Sequence, residues 1–139
     1  MKTILQLIIV SLTFLSACTR DNNNVVPSNA LTSVITQNRW VVTGFTQDGN
    51  DRSFLFGGYR FTFGSNFSVL AVKGNNAAAA NGTWSSGAIN GRSTLLLDFG
   101  SAQDFERLNG NWETVELTSS FFRLQRGAIG GDLLNFEVN

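Results

Sequence analysis

Carboxylates are the side chains of this sequence that are best suited to catalysis, because a pair of them can hydrolyse a glycosidic bond as acid and base or nucleophile. Glu113 and Glu116 are close in sequence, but a spacing of three along a strand points them to opposite faces unless a bulge intervenes. One of them would then lie inside the fold beside Trp112 and need Arg123 or Arg126 as its partner, whereas the pattern favours a solvated strand face. The carboxylate candidates are Asp98, Asp104, Glu106, Glu113, Glu116 and Glu137.

Histidine is absent from the sequence, and Cys18 is its only cysteine. Catalysis by a Ser-His-Asp or Cys-His arrangement is therefore excluded, and so are zinc sites built from imidazole and thiolate ligands. Asp48, Asn50 and Asp51 offer oxygens to calcium, but an EF-hand needs an oxygen ligand where Arg52 stands, so a hairpin turn is favoured there. We therefore expect a protein that is not an enzyme and that holds no metal or cofactor.

Length and charge limit what this chain can bind. It has 139 residues, of which ten are basic and ten acidic, so its formal net charge is zero. Removal of the first 17 residues, which include Lys2, would leave 122 residues with a net charge of −1, and this length suits one domain. No excess of basic residues is available to meet a phosphate backbone, so nucleic acid is not an expected partner.

The N-terminus has the pattern of an export signal. Lys2 precedes an apolar stretch over residues 4–15, which as a helix is about 18 Å long and too short for the ~30 Å of hydrocarbon in a bilayer. That length is typical of a signal peptide, here residues 1–17. The run Leu15-Ser16-Ala17-Cys18 resembles the lipobox of bacterial lipoproteins, in which the cysteine thiol receives diacylglycerol.

Lipidation of Cys18 would attach the mature protein to a membrane. Two or more acyl chains bind stably, and residues 18–28 would form a lipidated polar tether ahead of a domain at 29–139. The lack of Asp directly after Cys18 resembles the sorting pattern of outer-membrane lipoproteins, while the side of the membrane that the domain faces stays open. An ordinary secretory signal with an incidental cysteine is the alternative.

The rest of the sequence predicts an all-β domain behind a short N-terminal helix. Ser28 is a candidate N-cap for a helix with Leu31, Val34 and Ile35 on one face. From Arg39 onward apolar and polar residues alternate, and Gly and Asn interrupt the pattern every eight to twelve residues or so, roughly as in barrels and sandwiches. Such short connections make neighbouring strands antiparallel, and a closed up-and-down barrel of about eight strands is favoured because closure removes exposed edges. The predicted strands are 39–47, 58–64, 67–73, 81–85, 93–99, 111–118, 120–126 and 132–138, with a helical turn at 103–108 and a loop at 77–80.

Short aromatic motifs along the domain resemble those of one family. The motifs are Trp40, Tyr59-Arg60-Phe61-Thr62-Phe63, Gly82-Thr83-Trp84, Leu108-Asn109-Gly110-Asn111-Trp112, Leu117-Thr118 with Phe122 and Leu124, and Leu133-Leu134-Asn135-Phe136. In order and spacing they resemble the lipocalin-like lipoprotein domains of Bacteroidetes over residues 30–139. The resemblance implies an up-and-down barrel preceded by a short helix. Asn38 stands where the lipocalin signature has Gly, which sets this chain apart from the retinol- and bilin-carrying lipocalins. The lipocalin-like family has no defined site motif, so the resemblance implies no binding residue.

Aromatic side chains are the strongest candidates for binding. In the predicted barrel they converge inside, where they would form either a plain packed core or the walls of a cavity for an apolar molecule. The candidate ligand-binding residues are Trp40, Tyr59, Phe61, Phe63, Trp84, Phe99, Trp112, Phe122 and Phe136. Phe54, Leu55 and Phe56 lie in the long loop after the first strand and would form a lid, a membrane-touching tip or a partner contact. A strand start tucked over the barrel end is the alternative for this loop.

Together these patterns predict a lipid-anchored lipoprotein of the cell envelope, in the outer membrane, that binds a small apolar or amphipathic ligand in its barrel. The alternative is an interaction or inhibitor module that contacts another envelope protein through residues 54–57 and 77–80. A hydrolase that uses Glu113 and Glu116 is the least favoured interpretation.

Overall fold

The computed structural model describes residues 26–75 and 77–139, so the predicted signal peptide, Cys18 and most of the tether lie outside the described residues. Within them the chain forms one α-helix, two 3-10 turns and a nine-stranded sheet. Helix α1 is Ser28–Ile35, and the 3-10 turns are Ser53–Phe56 and Phe105–Leu108. The strands are β1 (Arg39–Gln47), β2 (Asn50–Asp51), β3 (Tyr59–Phe63), β4 (Ser68–Lys73), β5 (Ala77–Ile89), β6 (Arg92–Asp98), β7 (Gly110–Leu117), β8 (Phe121–Arg126) and β9 (Asp132–Val138).

The sheet closes on itself. Each strand from β3 to β8 pairs antiparallel with the next, and β1 pairs with β9 from Trp40 to Thr46 and with β3 at its start. β2 is a two-residue strand that pairs with the end of β1 across the Asp48-Gly49 turn. β1 and β3–β9 therefore form a closed eight-stranded antiparallel barrel, which confirms the fold predicted from the sequence.

β5 is longer than the sequence predicts. Residues 77–80, predicted as a loop, form its first part, and Ala80 pairs with Ala71 on β4. The loop prediction is wrong because the low β propensity of alanine is a weak preference, which pairing with a neighbouring strand overrides. β5 also continues to Ile89, past its predicted end, because its polar second half pairs with β6.

Helix α1 packs at the end of the barrel where β1 begins, which we call the helix end. Leu31 and Ile35 are fully buried, and the indole N–H of Trp40 donates to the Ile35 carbonyl at 2.9 Å. The N-cap is Pro27, whose backbone is extended, and Ser28 is already helical, so the prediction of Ser28 as the cap is wrong by one residue. No helix in the described part of the chain has the length and apolar character needed to cross a bilayer.

The opposite end of the barrel, which we call the mouth, is covered by two loops. The β1–β3 connection and the β6–β7 connection each contain one of the 3-10 turns. Phe56 and Phe105 from these turns are buried, and their ring centroids lie 5.5 Å apart. The barrel therefore encloses a hydrophobic interior that α1 closes at one end and these loops close at the other.

Gly82 on β5 makes room for an aromatic ring of the interior. A Cβ at this position would lie 2.5 Å from the Asp98 carbonyl oxygen and 2.9 Å from the Phe99 ring. We expect Gly82→Ala to lower the free energy of unfolding by about 1–3 kcal/mol, because the ring and the β6 backbone must shift. Urea denaturation followed by tryptophan fluorescence measures this change.

Gly87→Ala, on the same strand, is the matched control. A Cβ at Gly87 would meet the Thr94 hydroxyl oxygen at 3.4 Å, which is an ordinary contact. We expect this variant to change the free energy of unfolding by no more than about 0.5 kcal/mol. Equal losses of stability in the two variants would contradict the packing role assigned to Gly82.

Candidate functional site

The structure brings the nine predicted aromatic side chains together. Eight of them are at most 4% exposed, and Tyr59 is half-buried at the mouth. Trp40 and Phe136 both pack against Phe122 with centroid distances of 4.7 Å, and Phe61 lies 5.4 Å from Phe136. Aromatic contacts of this kind contribute about 0.5–1.5 kcal/mol each beyond the burial of area. The rings pack against one another through the interior, and their role as ligand contacts stays a prediction.

The polar atoms of the tryptophan rings are already bonded to the backbone. Beside the Trp40 bond described above, the Trp84 indole donates to the Gly64 carbonyl at 3.1 Å, and the Trp112 indole donates to the Leu108 carbonyl at 2.8 Å. A polar ligand that entered the interior would therefore find no donor on these rings, and a buried polar group without a partner is costly. A ligand is more readily accommodated where the rings meet the surface.

A cleft of about 350 Å³ opens at the mouth between the two loops. The Tyr59 and Phe105 rings form its aromatic wall and meet edge to face, with centroids 5.2 Å apart and planes at 87°. Small-molecule sites have volumes of about 300–1,000 Å³ and are found in the mouths of β-barrels. The lining residues are Leu55, Tyr59, Ala79, Ala102, Gln103, Asp104 and Phe105.

Polar and charged groups stand at the edge of this cleft. The Asp104 carboxylate lies 3.8 Å from Nε of Arg107, a distance too long for a hydrogen bond. Nζ of Lys73 lies 5.0 Å from the centroid of the Tyr59 ring, within the range of a cation–π contact. The carboxylate of Asp104 and the amide of Gln103 can therefore bind the polar group of a ligand whose apolar part contacts the aromatic wall.

Residues 54–56 occupy three different environments. Phe54 is 73% exposed, Leu55 lines the cleft, and Phe56 is 1% exposed with its ring centroid 5.5 Å from that of Phe45. The 3-10 turn separates them, because consecutive side chains on such a turn point about 120° apart. Phe56 is thus tucked over the barrel end, whereas Leu55 and Phe54 remain candidate contacts.

Sequence reasoning did not single out the part of the cleft that comes from the β6–β7 loop. The helical turn predicted at 103–108 forms over Phe105–Leu108, but nothing in the local pattern says which end of the barrel it covers. The one available signal was the aromatic residue Phe105 at the start of a turn that crosses a barrel end. The lining residues missed in this loop are Ala102, Gln103 and Phe105, whereas Asp104 was considered only as a carboxylate for hydrolysis.

Arg126 on β8 fixes the β6–β7 loop. Its guanidinium donates to the carbonyl oxygens of Asn109 at 2.7 Å and Arg107 at 3.3 Å, and to the Asp132 carboxylate at 2.7 Å. The same group lies over the Trp112 ring, 4.3 Å from its centroid. One wall of the cleft is therefore held by charge-assisted hydrogen bonds, which are stronger than bonds between neutral groups.

The carboxylate pair considered for hydrolysis is not assembled. A register shift within β7 places Glu113 and Glu116 both on the outer side of the barrel, where they pair with Arg92 and Arg123. This agrees with the solvated strand face that the sequence favoured, and the alternative in which one of them lies inside beside Trp112 is wrong. Of the six carboxylate candidates, Asp104 lines the cleft, and a single carboxylate does not provide the paired chemistry of a glycosidase.

The segment considered for calcium is a hairpin turn. Asp51 accepts hydrogen bonds from the hydroxyl and the N–H of Ser53 at 2.5 and 2.9 Å, and these bonds lower the pKa of its carboxyl. Asn50 donates to the Asp48 carbonyl at 3.0 Å. In the described ranges 26–75 and 77–139, no group of three His, Cys, Asp or Glu residues is placed to hold a metal ion.

Comparisons with models of protein families and with curated proteins found no match for this chain. The assignment of the fold therefore depends on the strand pairing in the structure. The resemblance to the lipocalin-like lipoprotein domains, and the lipidation of Cys18 that goes with it, therefore remain predictions.

Arg126, which holds the β6–β7 loop, also pairs with Asp132 on β9. This ion pair predicts that the free energy of unfolding depends on pH. Burial raises the pKa of Asp132, but hydrogen bonds from Arg126 and from the Asp48 N–H, together with the Arg126 charge, outweigh it and leave the pKa below its usual value. A lowered pKa in the folded state gives stability that is complete above the unfolded pKa of about 3.9 and is lost as the pH falls through the folded pKa. We expect Asp132→Asn to cost about 1 kcal/mol near neutral pH and much less in strong acid, where the parent carboxyl is protonated.

Urea denaturation at neutral and strongly acidic pH measures the two differences. Glu106→Gln is the control, because it removes one negative charge from the β6–β7 loop and Glu106 is exposed, with no ion pair in the described residues. A loss for Asp132→Asn that stays the same size in strong acid would contradict the role of the ionised carboxylate.

Proposed function

We propose that this protein is an exported, lipid-anchored lipoprotein of the bacterial cell envelope, not an enzyme, whose barrel mouth binds a small amphipathic molecule. The observation that carries the ligand part is the cleft of about 350 Å³ above a ring-filled interior. The lipobox-like run that ends at Cys18 supports the anchor part. The sequence suggested a ligand in the barrel interior. Because the interior rings pack against one another, we place the ligand at the mouth.

The chemistry of the cleft indicates the class of ligand. Leu55 and Tyr59, the latter packed on the buried Phe105 ring, offer an apolar surface to one part of the molecule. The Gln103 amide both donates and accepts hydrogen bonds, whereas the Asp104 carboxylate only accepts them. A ligand with a compact apolar body and a hydroxyl or amine group meets both requirements.

The predicted tether supports a location near the bilayer. Residues 19–28 would span at most about 35 Å fully extended and about 17 Å on average as a flexible coil. The described chain enters the barrel at the helix end, and a tether of this reach would keep the domain within a few nanometres of the bilayer. A membrane-derived amphipathic molecule is therefore a fitting source of ligand, and the outer membrane is the proposed site of anchoring.

A protein-binding module is the second candidate function, and exposed apolar side chains at the mouth favour it. Phe54 is 73% exposed, and Ile129, at the tip of the β8–β9 hairpin, is 102% exposed. Exposed apolar groups on neighbouring loops mark interaction sites when they form one patch. Residues 77–80, which the sequence suggested as a second contact loop, form the start of β5 and not a loop.

A variant that fills the cleft tests the ligand proposal. The mature chain carrying Cys18→Ser, which has no acyl chains of its own, is titrated with the neutral amphipathic dye Nile red and followed by fluorescence. We expect micromolar binding, and we expect Gln103→Trp to weaken it about tenfold, or roughly 1.4 kcal/mol, because the indole would occupy the cleft. Native mass spectrometry after mixing with an envelope lipid extract then identifies a natural ligand by its mass.

Gln37→Trp is the matched control, since Gln37 is an exposed glutamine just after α1, at the helix end. We expect this variant to bind Nile red as the parent does. Equal weakening in both variants would contradict the cleft as the binding site. The absence of any dye or lipid binding would leave the protein-binding module as the better proposal.

The anchor is tested in the full precursor. We expect Cys18→Ser to abolish the incorporation of labelled palmitate and to move the protein from the membrane fraction to the soluble fraction, because no acyl chains can be attached. Thr19→Ser, one residue further on, should leave both properties unchanged. Labelling or membrane retention of the Cys18→Ser protein would rule out this anchor.

A further inference from the structure

A second concave surface lies on the outer wall of the barrel, away from the cleft at the mouth. It exists because β1 pairs with β3 only at Arg39↔Thr62 and Trp40↔Phe61 and then diverges from it. Its volume is about 220 Å³. This surface, which we call the outer groove, is lined by Arg39, Arg60, Thr62, Leu70, Val72 and Gly74.

Arg39 and Arg60 bring two positive charges to the outer groove without an acidic partner. The ion pairs within the described residues all use other arginines, and Glu137 on neighbouring β9 instead accepts a hydrogen bond from Thr43. Arg39 pairs with the residue two positions after Arg60, so the two are diagonal cross-strand neighbours with Cα atoms about 7–8 Å apart. Both side chains line the outer groove, so an anion bound there would meet two positive charges.

Arg60 is held in position for such an anion. One of its terminal N–H groups donates to the Gly74 carbonyl at 2.6 Å, which fixes the guanidinium at one end of the outer groove. This is the one hydrogen bond of the Arg60 side chain within the described residues, so the other donors of the guanidinium face no protein acceptor there. A guanidinium offers five donors in a planar fork that matches a carboxylate or a phosphate.

Apolar side chains complete the outer groove. Val69 and Ala71 alternate into the barrel interior, so Leu70 and Val72 point to the outer face of β4. Both are half-buried and line the groove beside the arginines. An aliphatic surface next to two cations suits a molecule that joins an anionic group to an apolar part.

We propose that the outer groove binds an amphipathic anion, with a phosphate or carboxylate held between Arg39 and Arg60 and the apolar part of the molecule against Leu70 and Val72. This site goes beyond the proposed function at the mouth, and its two arginines have no acidic partner within the described residues, whereas Asp104 lines the cleft. The anion has two sources with the same chemistry, namely the headgroup of an anionic membrane lipid and a free amphipathic anion. The experiment separates them.

The test is an NMR titration of the mature chain carrying Cys18→Ser. The probes are dihexanoyl phosphatidic acid, which is soluble, and inorganic phosphate. We expect phosphatidic acid to shift the amide signals of Thr62, Leu70 and Val72 and to bind at least about tenfold more tightly than phosphate. We expect the double variant Arg39→Gln/Arg60→Gln to weaken phosphatidic acid binding at least about tenfold.

The control is Arg92→Gln/Arg123→Gln, which removes two exposed arginines that are paired with glutamates elsewhere on the outer wall. This variant should bind phosphatidic acid as the parent does, and thermal unfolding verifies that both double variants fold. Equal affinity of the parent and of Arg39→Gln/Arg60→Gln would overturn the proposal, and equal affinity for phosphate and phosphatidic acid would overturn the part assigned to Leu70 and Val72.

Flotation with phosphatidylcholine vesicles that contain phosphatidylglycerol decides the source. Binding that requires Arg39 and Arg60 identifies a membrane lipid as the occupant. Binding of soluble phosphatidic acid without binding of vesicles identifies a free amphipathic anion. Both results support the outer groove as an anion site, and binding of neither probe overturns it. Because none of these assays depends on the cleft or on acylation, their failure is distinguishable from failure of the proposed function.

Discussion

The manner in which β1 closes the barrel constrains the rest of the structure. β1 pairs with β9 along most of its length but with β3 only at Arg39 and Trp40. A register shift after Val42 accompanies this divergence, and such irregularities bend a strand and increase its twist. The space between β1 and β3 is taken up by the chain from β2 through the first 3-10 turn, which puts Phe56 inside the barrel and Leu55 in the cleft. The outer groove lies beside the same divergence, over the outer faces of β3 and β4.

Aromatic packing then decides where a small molecule can bind. The single ring of Phe61 contacts four other rings, those of Phe56, Phe99, Phe105 and Phe136. Displacing it would cost several kcal/mol, at about 0.5–1.5 kcal/mol for each aromatic contact and more for lost burial. A micromolar ligand has a total binding free energy of only about 8 kcal/mol, so a site that requires such a displacement is weak. The cleft at the mouth requires none, because the half-buried side chains of Leu55 and Tyr59 already line it.

The barrel could be predicted from the sequence because its information is local and repetitive. The alternation of Tyr59, Phe61 and Phe63 with polar residues marks one buried face, and the Asp48-Gly49 turn predicts a hairpin, which the structure contains. The start of β5 could not be predicted, since its alanines become a strand only through pairing with β4.

The cleft could not be predicted for a similar reason. Phe105 lies beside it because Arg126, 17 residues after Asn109, donates a hydrogen bond to the Asn109 carbonyl at the end of the β6–β7 loop. Local propensity does not encode a contact of this kind. The register shift that turns Glu113 and Glu116 to the same side is equally invisible in the sequence, because a single extra residue in a strand leaves no pattern of its own.

Charge selectivity in the two proposed sites would be local. The net charge is zero for the whole chain and −1 without residues 1–17, and charges that are more than about 8–10 Å apart are screened at physiological ionic strength. Asp104 would therefore act only on molecules in the cleft, and Arg39 and Arg60 only on molecules in the outer groove. In the proposed anchored state, a tether with a reach of up to about 35 Å would let either surface approach the bilayer. Attachment of that length raises the effective concentration of membrane-borne ligands to about the millimolar range. Sites as small and open as these two could then be occupied without the deep enclosure that a soluble carrier needs.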